Sequence, residues 1–108
     1  MRQYEIWWAD LPAPVGRRPV LVLTRSAAFA YLNKAIVAEI TTTIRGIPQE
    51  VHLGSAEGIA PSVANFDNVH VVARHLLSER AGVLTSARHR EVKRALGYAL
   101  DWAELKAL

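Results

Sequence analysis

Apolar residues along the chain fall mostly in short runs or alternate with polar ones, the periodicity of strands; only the C-terminal fifth repeats at helical spacing. Tyr4 to Leu11 (Y-E-I-W-W-A-D-L) predicts a first strand that stops at a Pro-rich turn from Leu11 to Gly16. Its neighbouring indoles, Trp7 and Trp8, cannot both face the core. The outward one is read as cover for a partner interface ahead of a platform for a base. Pro19 to Thr24 (P-V-L-V-L-T) is a continuous apolar run of buried-strand length, entered through Arg17 and Arg18. Good helix formers after Ser26 predict a short helix within Arg25 to Asn33, with Ser26 as its cap.

A strand from Ala35 to Ile44 then breaks at Arg45-Gly46, where glycine permits a turn, and Pro48 to Leu53 reads as the return strand of a hairpin. Leu53 to Pro61 reads as a loop. Ser62 to Asn65 and Val69 to Val72 read as strand pieces broken by a bulge at Phe66-Asp67-Asn68. A helical turn over Arg74 to Ser78 and a short strand from Arg80 to Leu84 follow. In the last helix, capped by Thr85 or Ser86, Val92, Ala95, Leu96, Ala99, Leu100 and Ala103 form one apolar stripe. Arg88, Arg90, Lys93 and Arg94 lie off that stripe, a solvated face before a binding one. The sum is a mainly β (α+β) fold, a strongly curved or half-open antiparallel barrel with a C-terminal helix.

The stretch with the most chemistry is Val37 to Val51 (V-A-E-I-T-T-T-I-R-G-I-P-Q-E-V). Alternation puts Glu39, Thr41 and Thr43 on one face of its strand and Ile36, Ala38, Ile40, Thr42 and Ile44 on the other. Hydroxyls and the fixed charge of Arg45 at the end of an apolar strand suit an anion such as phosphate. The plainer reading is that threonine is a good strand former filling an exposed face. What adds weight is upstream: if the strands neighbour one another, Arg18 comes close to Thr41.

Length and composition narrow the class. The 108 residues fit a single domain over 1–108, and 51% hydrophobic residues allow a core without staples. With no cysteine there is neither a disulfide framework nor a thiolate centre. The N-terminus has no signal-peptide core and no apolar run nears the about 20 residues of a membrane span, so the expectation is a cytoplasmic protein without membrane association. Thirteen Lys and Arg against ten Asp and Glu give a net charge of +3, most of the positive charge as arginine, a modest lean toward nucleic acid.

The order W-W-A-D-L, a Pro/Gly turn, R-R-P-V-L-V-L-T, I-V-A-E-I-T-T-T-I-R-G, P-S-V and F-D-N-V resembles the MazF/PemK family of toxin endoribonucleases, from Ile6 to about Trp102. The resemblance implies an SH3-like barrel that forms a homodimer, cuts single-stranded RNA at short sequences and is silenced by a cognate MazE-like antitoxin. It carries the family's catalytic arginine, before the Pro of R-P-V-L, onto Arg18, and its catalytic threonine onto Thr41. The polar pair of the later strand falls on Asp67 and Asn68. Arg17, Thr42, Thr43, Ile44, Arg45 and Gly46 are the further candidates for substrate binding. Two departures stand out. The turn before Arg18 lacks the family's Ser-Glu-Gln segment, and Glu39 stands where a Pro or small residue is common, either in the site or paired with Arg18.

The implied chemistry needs no cofactor. The substrate's 2′-hydroxyl is the nucleophile, giving a 2′,3′-cyclic phosphate and a 5′-hydroxyl. Arginine can hold the phosphoryl charge and threonine can add a neutral hydrogen bond. An arginine with a pKa above about 12 is a poor general base, which leaves proton transfer without an owner. Of the four histidines, His70 is the one to test, two residues beyond Asn68. No His, Asp and Glu cluster has metal-ligand spacing. DNA, lacking the 2′-hydroxyl, should be inert. The turn from Pro12 to Arg17 and the segment Ile44 to Pro48 are the candidates for reading bases. Two alternatives remain: a non-catalytic gyrase poison resembling CcdB, and a passive module whose arginines only hold phosphate.

Overall fold

The computed structural model describes residues 1–108. Six antiparallel strands form one curved sheet: β1 Glu5–Asp10, β2 Arg17–Val22, β3 Lys34–Thr41, β4 Glu50–Leu53, β5 Ser62–Ala73 and β6 Leu77–Val83. Their order is β4-β5-β3-β2-β1-β6, so the N-terminal strand is interior and the barrel stays open between β4 and β6. Two helices end the chain, α1 His89–Leu100 and α2 Ala103–Lys106.

The sheet has apolar residues on both faces. On one, Ile6, Leu21, Ala38, Ile40, Ala64 and Phe66 pack against Val92 and Ala95 of α1. On the other, Ala9, Val20, Val22, Ala35, Val37 and Val72 close over Phe29, which a 3-10 turn at Ser26–Ala30 delivers, and Leu77. Strand alternation produces this division directly, since residues two apart along β2 and β3 enter the same cluster.

Several predicted elements are adjusted. β3 ends at Thr41 rather than Ile44. The Thr41 hydroxyl accepts the Thr43 amide proton at 3.1 Å, a local turn that competes with the ladder and peels the chain off the sheet. Pro48 to Leu53 is not the return strand of a hairpin. β4 pairs with β5, and β5 lies between β3 and β4. The connecting loop is closed instead by the Glu50 carboxylate, which accepts amide protons from Arg45, Gly46 and Ile47. Gly46 sits at φ +73°, in the left-handed region that its place in the turn requires.

The Arg25 to Asn33 helix is only that 3-10 turn, and Ser26 does not cap it; its hydroxyl accepts the Gln3 amide at 2.8 Å. Thr85 likewise donates to Glu57 rather than capping α1. Asp101 takes a left-handed conformation that stops α1, so Leu100 is exposed and Ala103 belongs to α2. The last strand starts earlier than expected, at Leu77.

The bulge at Phe66-Asp67-Asn68 is present within one continuous β5. Pairing jumps from Ala38↔Val69 to Glu39↔Asn65, Phe66 turns into the core, and Asp67 and Asn68 are exposed. The Asn65 side chain accepts the Asp67 amide at 2.8 Å and holds the irregular backbone.

Candidate active site

β2 and β3 align antiparallel with Val20 opposite Glu39 and Val22 opposite Val37. The β2–β3 ladder ends at Val20 and Glu39; its register, extended by two residues, brings Arg18 level with Thr41, where β3 leaves the sheet. The expected approach of these two residues thus lies beyond the paired stretch, and the side-chain contact that Arg18 makes is with Glu39. Alternation points Glu39 and Thr41 to the face carrying Val37, and Arg18 turns to it as well: its Nη1 donates to Glu39 Oε1 at 3.0 Å.

Glu39 has a second partner. Its Oε2 lies 2.9 Å from His70 Nε2, and His70 is brought there by pairing with Val37 across β5. The carboxylate is mostly shielded, with 15% of its side chain exposed, while Arg18 and His70 keep 34% and 37%. Glu39 therefore pairs with Arg18, one of the two roles its position allowed, and joins the candidate arginine to the candidate histidine. Asp67 and Asn68 flank this array from the bulge, between Asn65, opposite Glu39, and His70.

The remaining candidates divide. Arg17 turns to the opposite face, where its guanidinium bonds Ser78 at 3.0 Å and Glu79 at 2.9 Å and lies 4.9 Å from the Trp8 ring centre. It is not beside Arg18 in space although it is in sequence. Thr42, Thr43, Ile44, Arg45 and Gly46 are all exposed on the loop beyond β3, and the Arg45 side chain makes no ion pair.

A cavity of about 560 Å³ opens at the same end of the sheet, lined by Trp8, Pro19, Ile40, Thr42, Ile59 and Arg80 among others, and Thr41 reaches its rim. Sequence reading did not anticipate the parts played by Ile59 and Arg80. They arrive from the loop after β4 and from β6, which only the sheet order brings to β2 and β3. No three His, Asp or Glu side chains gather as a ligand set for a metal ion.

Away from this end, Glu57 is fully enclosed and accepts from the Gly54 amide, the Thr85 hydroxyl and Arg88 Nε. Burial alone would raise its pKa; these hydrogen bonds outweigh burial and hold the carboxyl below the ordinary glutamate value of 4.5. The Glu50 carboxyl is lowered as well, burial again opposing and the amides of Arg45, Gly46 and Ile47 prevailing.

The chain is similar to known proteins over nearly its whole length. Residues 2–100 match the family model of the PemK-like, MazF-like toxins of type II toxin-antitoxin systems. A probable endoribonuclease MazF5 of Mycobacterium tuberculosis is 43% identical over 99 residues, covering 90% of each chain. Among solved structures, the M. tuberculosis toxin MazF-mt6 superposes with a TM-score of 0.84 at 35% identity, over 90% of this chain and 96% of that one. A mycobacterial endoribonuclease in complex with its cognate antitoxin gives a TM-score of 0.85 at 25% identity, over 94% and 96%. The half-open barrel with its C-terminal helix is thus the fold of MazF toxins, and this chain belongs to the PemK-like, MazF-like toxin family.

Proposed function

We propose that the chain is the endoribonuclease toxin of a type II toxin-antitoxin pair, cutting single-stranded RNA with Arg18 and Thr41 at the scissile phosphate. The observation that carries this reading is the β2–β3 register, which, extended two residues past Val20 and Glu39, brings Arg18 level with Thr41 at the open end of the two strands. Relatives named endoribonucleases at 43% and 38% identity support it and favour it over gyrase binding.

The chemistry uses what these groups offer. Arg18 has one nitrogen engaged by Glu39, which leaves the other donors of its planar fork for phosphoryl oxygens. As the RNA's own 2′-oxygen attacks phosphorus, charge grows on those oxygens, and a fixed cation stabilises it without reorganisation. The Thr41 hydroxyl accepts the Thr43 amide proton and keeps its own proton free, so it adds a neutral donor to the phosphate. The exposed loop from Thr42 to Gly46, with the free Arg45, follows the RNA backbone, Asp67 and Asn68 offer polar groups to base edges, and the cavity beside Trp8 takes an unstacked base. No metal or cofactor is assigned a part.

A homodimer and a MazE-like antitoxin complete the reading. Ile36 and Val71 are opposite one another on β3 and β5 and exposed, 45% and 57%, an apolar surface that a second copy would cover. The net charge of +3 suits an acidic antitoxin segment. No helix is long and apolar enough to cross a membrane, and the cytoplasm, where mRNA is translated, is the compartment assigned.

The test is cleavage of a long single-stranded RNA in EDTA by the wild type and by Arg18→Ala, with product ends mapped. Cuts at a short recurring sequence, with 5′-hydroxyl ends, that vanish in Arg18→Ala support the reading. An RNA left intact by the folded wild type overturns it.

A further inference from the structure

Arginine and threonine leave one task undone, removal of the 2′-hydroxyl proton at a pH where guanidinium does not deprotonate. The geometry points to His70 as the general base of the cleavage, with Glu39 as the residue that positions both His70 and Arg18. This rests on the ribonuclease reading above and adds the proton acceptor to it.

An ionised carboxylate only accepts hydrogen bonds, so the ring nitrogen 2.9 Å from Glu39 Oε2 must carry the proton. With Nε2 donating inward, a neutral His70 has its lone pair on Nδ1, which has no partner on the protein, and the side chain keeps 37% exposure. This is how a shielded carboxylate fixes the tautomer of a catalytic imidazole in other hydrolytic sites. Here one carboxylate holds two groups: Oε1 accepts from Arg18 and Oε2 from His70. The 2′-oxygen and the phosphoryl oxygens of one nucleotide are adjacent, as are the base and the cation that serve them.

The step balances without any further reagent. The 2′-oxygen forms a bond to phosphorus as its proton passes to His70 Nδ1. The bond from phosphorus to the 5′-oxygen breaks, and that oxygen takes a proton from solvent, which the open site admits. The imidazolium then releases its proton to water. The charged groups facing His70 are Glu39 of β3 and, through it, Arg18 of β2. Asp67 lies three residues upstream on the same strand and is exposed.

The experiment follows the rate at one mapped cleavage site in a long RNA transcript, between about pH 5 and pH 8, the interval in which imidazole ordinarily changes charge. For the wild type kcat rises with pH and levels off. In His70→Gln, the rate at the plateau falls by about 100-fold or more and the rise is lost. Glu39→Gln, whose amide can donate to the ring and so reverse the tautomer, lowers kcat more than it raises KM.

A His70→Gln enzyme that keeps the wild-type pH profile, whether its rate is lowered or not, overturns the assignment. The wild type gives a second check free of any folding defect. The His70 ring, assigned by NMR by elimination against the other histidines, must titrate with the same midpoint as the kinetic rise; a different midpoint also overturns it. If Arg18→Ala is inactive while His70→Gln behaves as wild type, the ribonuclease reading stands and only this inference falls. If the wild type cuts no RNA, the reading beneath it falls first.

Discussion

Two arginine-glutamate pairs in this small protein are nearly equal in length and opposite in design. Arg88 and Glu57 meet at 2.9 Å, Arg18 and Glu39 at 3.0 Å. Glu57 has no exposed side-chain surface, and its three donors, one backbone amide, one hydroxyl and one guanidinium, close it off. It ties the loop after β4 to the segment entering α1. Glu39 instead bridges two side chains that each keep about a third of their surface in solvent, and each retains unused hydrogen-bonding capacity directed away from the carboxylate. Saturation marks a carboxylate that holds the fold. Partial engagement, with a cation and an imidazole left half open, marks one that serves a site.

The largest effects should separate the two pairs cleanly. Arg18→Ala should lower RNA cleavage by about 100- to 1000-fold, the usual cost of losing a preorganised charge donor, and leave the melting temperature almost unchanged. Arg88→Ala should do the reverse. It strands a buried carboxylate, which costs about 2 to 3 kcal/mol here, below the full penalty of a buried pair because the Gly54 and Thr85 donors remain. Cleavage rates and denaturant midpoints of both variants decide the matter. A large stability loss in Arg18→Ala, or a lost kcat in folded Arg88→Ala, would erase the distinction.

Gly82 sharpens the structural side. A Cβ there would collide with the Glu57 carbonyl oxygen, which is backbone and cannot swing away. Gly82→Ala should therefore destabilise the protein by about 1 to 3 kcal/mol by forcing the Glu57 turn off β6. Chemical denaturation measures it. Arg18, two strands away, should keep its cleavage chemistry in whatever fraction remains folded.

Much of this arrangement is legible in the pattern of residues. The strands β1, β2, the first part of β3 and the bulge at 66–68 follow from alternation and from Asp and Asn where the backbone must bend. The proposed approach of Arg18 to Thr41 asks only that the β2–β3 register run on two residues past Val20 and Glu39. What local pattern does not reveal is sheet order. Thr41 has the composition of a strand residue yet ends one, because its hydroxyl finds the Thr43 amide. The segment Pro48 to Leu53 looks like a hairpin return because it follows a glycine turn, while its partner is the later β5. The Glu57 network joins residues 28 and 31 positions apart, and the cavity beside Trp8 draws on five strands, so neither leaves a signal in any one stretch.

Acid should act on the structural carboxylate. The Glu57 pKa in the fold lies below the ordinary value of 4.5, so its ionised form adds stability above that value. As pH falls through about 4.5 toward the folded value, the unfolded chain binds protons first and that stability is lost. Glu50, also lowered, adds to the same trend. Urea midpoints at about pH 6 and about pH 3 should differ in the wild type, and Glu57→Gln should have a lower midpoint at the higher pH and a smaller difference between the two. An unchanged difference would mean that the enclosed carboxylate contributes nothing to the acid response.

The smallest effect is expected at Arg17, the neighbour of the arginine proposed as catalytic. Both belong to one R-R-P motif, and sequence alone gives each a claim on phosphate. Alternation turns Arg17 to the other face, where about half its side chain is exposed and its charge is shared among Asp10, Glu79 and the Trp8 ring. Exposed pairs of this kind contribute about 0.2 to 1 kcal/mol. Arg17→Ala should therefore shift stability by no more than that and change kcat by less than about 3-fold, with any loss confined to KM and fading as salt screens the long-range attraction. If Arg17→Ala instead reduced kcat as far as Arg18→Ala, the Arg17 face of β2 would take part in the chemical step and not only in holding a base beside Trp8, and the division between a catalytic face and a supporting face would fail at the strand where it is drawn most sharply.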